Sequence, residues 1–61
     1  MAVIVFDEVV VETDKAVLMK FDKREVWLPK SQISWIDEAG GTAEMSWWLI
    51  VNKGLECFVE E

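Results

Sequence analysis

The chain has 61 residues, twelve Asp or Glu against six Lys or Arg for a net charge of −6, and a 52% hydrophobic composition that includes four tryptophans. That length points to a single small domain, residues 1–61, with a marginal core; with no histidine and one cysteine, Cys57, it has neither an intrachain disulfide nor the roughly four nitrogen or sulfur ligands of a structural zinc site. No apolar run approaches the roughly 20 residues that span a bilayer, the opening MAVIVFDEVV lacks the basic start of a secretory signal, and a lone thiol suits a reducing compartment, so a cytoplasmic protein is expected.

Residues 3–13, VIVFDEVVVET, are rich in β-branched side chains and predict strand. Asp7-Glu8 breaks the alternation, which predicts either a bulge or two consecutive strands. Residues 9–13 are expected to pair with 16–21, AVLMKF, across a turn at Thr13-Asp14-Lys15. Val17, Met19 and Phe21 share one face of that second strand and form its core side. DKRE, residues 22–25, is the next turn; without glycine, a longer loop is expected in place of a tight two-residue turn. EVWL returns as a strand, with Val26 and Leu28 on one face and Glu25 and Trp27 on the other. Pro29 ends it, because proline has no amide hydrogen to give a ladder. Lys30-Ser31-Gln32 then makes a short turn or a single 3₁₀ turn. ISWI, residues 33–36, is a further strand with Ile33 and Trp35 on one face.

DEAGGT, residues 37–42, is the clearest loop, since Gly40-Gly41 permits positive φ. AEM is a short strand. Ser46 then suits a helix N-cap before WWLIVNK, residues 47–53, and Gly54 suits the left-handed position after it. The rival reading there is a strand, because Ile50 and Val51 are β-branched. ECFVE, residues 56–60, closes as a strand with Cys57 a small core residue. The whole is mostly β, an α+β chain of about five short strands plus one short helix near residues 47–53. This pattern predicts a small antiparallel partial barrel of SH3-like or OB-like type.

No workable catalytic chemistry emerges. A serine or cysteine nucleophile needs a base, and there is no histidine. The carboxylate pairs Asp7-Glu8, Asp37-Glu38 and Glu60-Glu61 lack the roughly six-ligand spacing of a calcium loop. The expectation is a non-enzyme without metal or cofactor. Charge is segregated: residues 1–14 carry −4, residues 15–36 carry +3 and residues 37–61 carry −5. One reading is a solvated surface; the sharper one is an acidic face that meets a basic partner, where charge complementarity speeds encounter. Trp47 and Trp48 are adjacent, so on a helix they diverge by about 100° and one is expected to face solvent.

The eight residues 26–33, VWLPKSQI, are similar to a signature of small domains encoded by bacteriophages and prophages. In that pattern an aliphatic strand and a charged turn come first. A Trp-Leu step and a Lys-Gly-Leu step follow, here Trp48-Leu49 and Lys53-Gly54-Leu55. The chain departs at the turn, where a glycine is usual and Lys23-Arg24 stand. The resemblance implies phage origin. By size, acidity and that origin the chain also resembles the anti-CRISPR class. Those proteins are short and usually non-catalytic; they bind a host nuclease complex, and some mimic nucleic acid with carboxylates.

The expected function is stoichiometric binding to the basic surface of a host protein or protein–nucleic acid complex. Asp7, Glu8, Glu12, Asp14, Asp37 and Glu38 are the candidate contacts, and Trp47 is an apolar anchor. Direct nucleic-acid binding through Lys20, Lys23, Arg24 and Trp27 is the alternative, opposed by the net charge. A dimerising structural module is the third.

Overall fold

A computed structural model describes residues 1–60. It contains β1 (Ala2–Val5), β2 (Glu8–Glu12), β3 (Ala16–Phe21), β4 (Arg24–Pro29), β5 (Ile33–Asp37), β6 (Thr42–Met45) and α1 (Trp47–Asn52). Single 3₁₀ turns lie at Lys30–Gln32 and Glu56–Phe58. The strands form two antiparallel three-stranded sheets, ordered β1-β6-β5 and β2-β3-β4. This is the mostly β, small barrel-like fold expected, with six strands where about five were anticipated.

β1 and β2 behave as one bent strand shared by both sheets. The Phe6 amide donates to the Gly41 carbonyl at 2.9 Å, and the next amide, of Asp7, donates to the Lys20 carbonyl at 2.8 Å. Successive amides of an extended chain point to opposite edges, so β1 takes β6 on one side and β2 takes β3 on the other. The bend falls at Phe6-Asp7, where the apolar alternation breaks. A second irregularity follows: the register shifts between Val9 and Val11, leaving Val10 as an extra residue.

The core lies between the sheets. Sheet β2-β3-β4 contributes Val17, Met19, Phe21 and Leu28; Ile4, Ala43 and Met45 face them from the other sheet. Leu49 and Ile50 close one side from α1, and Phe6 and Leu55 complete the cluster from connecting segments. No charged or polar residue is buried among the described residues. The strand alternation through 16–21 is therefore as the pattern predicts, and the helix reading of residues 47–53 prevails over the strand reading. Ser46 Oγ accepts the Leu49 amide at 3.2 Å, which supplies the N-cap. Gly54 has φ 67°, as the segment after a helix requires.

Four expectations are corrected. The β3–β4 connection is a two-residue turn, because Phe21 pairs with Arg24; Asp22 takes φ 58° there. Aspartate tolerates that conformation better than most residues, so glycine is dispensable. Residues 56–60 form no strand: Glu56–Phe58 is a 3₁₀ turn, followed by one bridge from Val59 to Ile4. The tighter winding turns Phe58 inward against Phe21, with ring centroids 5.2 Å apart, and leaves Cys57 exposed instead of buried. Finally, a register shift between Ile33 and Trp35 makes Ser34 an extra residue. Ile33 and Ile36 thus pack against the core, while Trp35 faces out.

Candidate partner-binding surface

The six acidic candidates fall into two groups. The hydrogen bonds of Phe6 and Asp7 set the Asp7-Glu8 step beside the β5–β6 loop and the β3–β4 turn. Asp7, Glu8, Asp37 and Glu38 thus share one end of the molecule with Asp22. Glu12 lies at the other end of β2, about 13 Å from Glu8 at roughly 3.3 Å per residue. Asp14 follows it in the β2–β3 turn. Lys15 and Lys30 accompany that second group: the Lys30 amide donates to the Lys15 carbonyl at 2.8 Å, and its ammonium pairs with the Glu12 carboxylate. Glu44 belongs to neither group. It lies on the outer face of β6, directly opposite Trp35.

Three of these carboxylates have partners within the chain. Asp7 Oδ2 accepts the Asp22 amide at 2.8 Å and so holds the β3–β4 turn. Asp37 Oδ1 accepts the Gly40 amide at 3.1 Å and shapes the loop before β6. Glu12 pairs with Lys30. Glu8, Asp14 and Glu38 are exposed and carry no side-chain hydrogen bond among the described residues. No group of three or more potential metal ligands comes together among those residues.

Two of the five bases in residues 15–36, Arg24 and Lys30, have partners for their side chains. Arg24 donates to the carbonyls of Lys53 at 2.8 Å and Gly54 at 3.3 Å, capping the C-terminal end of α1. Lys20 sits in register between Glu8 on β2 and Glu25 on β4. Of the residues assigned to nucleic-acid binding, Lys23 stands at the turn, and Trp27 lies on the outer face of β4 opposite Leu18.

The tryptophans are the larger finding. Trp27, Trp35, Trp47 and Trp48 are 47%, 44%, 51% and 63% exposed, and none belongs to the buried core. Both members of the Trp47-Trp48 pair face solvent, where one was expected to. The cause is the short helix: Leu49 and Ile50 supply its inner face, so residues 47, 48 and 51 are left outside. Val51 stands four residues from Trp47 and three from Trp48, the spacing of helix neighbours. Trp47, Trp48 and Val51 therefore form one apolar patch. Sequence reasoning singled out only Trp47; the i, i+3 and i, i+4 spacing was the signal for the other two. A second apolar row crosses the outer face of the other sheet, where Val11, Leu18 and Trp27 lie in register on β2, β3 and β4.

Comparison with protein-family models, with curated proteins and with solved structures finds no match in any of the three.

Proposed function

We propose that this protein acts by stoichiometric binding to another protein, with Trp47, Trp48 and Val51 as the apolar anchor and the acidic ends selecting a partner with a basic surface. One observation carries the reading: the core closes without a single tryptophan, and all four stay at the surface. A tryptophan can bury roughly 150–250 Å². A small domain that leaves four of them half-exposed forgoes much of its available burial. Tryptophan is also the side chain most enriched at binding hot spots, and contiguous exposed apolar patches mark interaction sites.

The charge sets the kind of partner. A net charge of −6 steers the protein toward basic surfaces and away from phosphate backbones. Basic channels are the common feature of complexes that handle nucleic acids. Together with the likeness of residues 26–33 to phage-encoded domains, this makes a host nucleic-acid-handling defence complex the proposed target and the host cytoplasm the proposed site of action. The acids stand at two ends instead of in one row, which favours an apolar anchor with an acidic rim over mimicry of a continuous phosphate backbone. The engagement of Arg24 and Lys30 weighs against direct nucleic-acid binding.

Purified protein mixed with purified CRISPR effector complexes of several types tests the reading. One type is expected to co-elute with it on size exclusion and to lose target cleavage. Trp47→Ala with Trp48→Ala is expected to weaken that association at least about tenfold. Absence of association with every type overturns the proposed target. Tight retention of DNA at about 50 mM salt that is lost at about 200 mM overturns the protein-binding reading itself.

A further inference from the structure

An open groove of about 250 Å³ runs beside β5, lined by Glu12, Lys30, Ile33, Ser34, Trp35 and Ile36. Four of these residues are consecutive in the strand. Ile33 and Ile36 pack inward and Trp35 faces out, so a groove that touches all of them follows the strand's edge and not one of its faces. β5 is the outermost strand of its sheet, and its inner edge is taken by β6. The groove therefore follows the unpaired edge. The corresponding edge of β1 is closed by the chain itself: Val59 bridges Ile4, and the Glu60 amide donates to the Val3 carbonyl at 2.8 Å.

An unpaired edge presents a row of amide donors and carbonyl acceptors to any added strand. The size of the groove agrees with that occupant. It lies below the roughly 300–1,000 Å³ of sites that enclose small molecules and suits side chains of a strand passing along β5. Its walls are apolar at Ile33 and Ile36 on the inward side, and the half-exposed Trp35 ring stands on the outward side. Its surroundings carry a net negative charge: Glu44 lies across from Trp35 on β6 and Asp37 ends β5, while Glu12 in the lining is balanced by Lys30. Lys30 is the one base lining it, and Glu12 already holds that ammonium.

We propose that an extended, lysine- or arginine-bearing segment of the partner protein adds to the free edge of β5. An aliphatic side chain of that segment enters between Ile33 and Ile36. A cationic side chain lies over Trp35 within reach of Glu44, where ring attraction and a charge-assisted hydrogen bond act together. Because Ser34 interrupts the regular ladder, the added strand pairs with residues 35–37. The proposal rests on the protein-binding reading and adds to it a second contact, separate from the α1 anchor.

The test uses the full chain, isotope-labelled for amide NMR, and a short synthetic peptide that alternates lysine and valine. Saturable shifts of the amides of residues 33–37 and of the Trp35 indole are expected. Trp35→Ala, a change at a half-exposed side chain, weakens binding roughly three- to tenfold, and Glu44→Gln weakens it roughly threefold. Glu56→Gln, at an exposed acid outside the groove lining, leaves peptide affinity unchanged. The same peptide with alternate backbone nitrogens methylated, and the version with glutamate in place of lysine, both fail to shift residues 33–37. No shift at residues 33–37 at millimolar peptide overturns the proposal, as do equal shifts with the methylated or the glutamate peptide. Shifts confined to α1 also overturn it while leaving the protein-binding reading in place; groove shifts alongside failed co-elution uphold it and overturn only the proposed target.

Discussion

At the scale of single residues, the most telling feature is a side chain that changed role. Asp7 was selected as a partner contact for its charge, yet its carboxylate accepts the amide of Asp22, fifteen residues on, in a turn where Asp22 has φ 58°. Positive φ costs a non-glycine residue roughly 1–2 kcal/mol, and this hydrogen bond offsets part of that. Asp7→Ala is expected to destabilise the fold by about 1 kcal/mol, read as a lower urea midpoint with an unchanged slope. Asp22→Gly is expected to recover about half of that loss in the Asp7→Ala background. This long-range hydrogen bond is not visible in the sequence, where Asp7-Glu8 reads as a break in a strand and as a pair of surface charges. Gly41 is the opposite case. It was legible as a turn glycine, and the structure makes the need specific: φ is 69°, and an added Cβ would come within 2.9 Å of the Phe6 carbonyl oxygen. Cys57 illustrates a third. Its neighbours Phe58 and Val59 were apolar enough to imply a strand, and only the winding of the 3₁₀ turn sends its thiol to the surface.

At the scale of elements, α1 has six residues and is too short to persist unaided. Three devices hold it. Ser46 caps its start, Leu49 and Ile50 bury its inner face, and Arg24 of β4 meets the carbonyls just past its end. Ser46→Ala is expected to cost about 1 kcal/mol, and Arg24→Ala a similar amount through the orphaned carbonyls. Because both act on the same short helix, their combined cost is expected to differ from the sum, a coupling that a double-mutant cycle in urea measures directly. The contrast between what was legible and what was not is sharpest here. The cap residue, the terminating glycine and the alternating strand Ala16–Phe21 are local signals, and each appears where its spacing implies. The extra residues at Val10 and Ser34 are set by how β2 and β5 meet their partners. No local pattern reports that, so the outward turn of Trp35 and the edge groove beside it could not be read in advance. Even so, VWLPKSQI divides as its residue types imply. Leu28 is core, Pro29 ends β4, Lys30–Gln32 is one 3₁₀ turn, and Ile33 starts β5.

At the scale of the whole molecule, an apolar interior without tryptophan sits beneath a surface that carries four. Native tryptophan emission is accordingly expected to be quenched strongly by acrylamide without denaturant, and to shift only slightly to the red on unfolding. Efficient quenching of all four in the free protein that falls on partner binding would report the anchor directly. A blue-shifted emission resistant to acrylamide would contradict the exposed arrangement. The shared bent strand has a consequence for how the chain is made. β3 and β4 are joined by a two-residue turn and can pair as soon as both leave the ribosome, whereas β1 pairs with β6, a strand distant in sequence. Hairpins that close locally form faster than pairings between distant segments. During translation, then, the apolar AVIV strand waits without its partner until residues 42–45 have emerged, and over that interval it is exposed to chaperones and self-association.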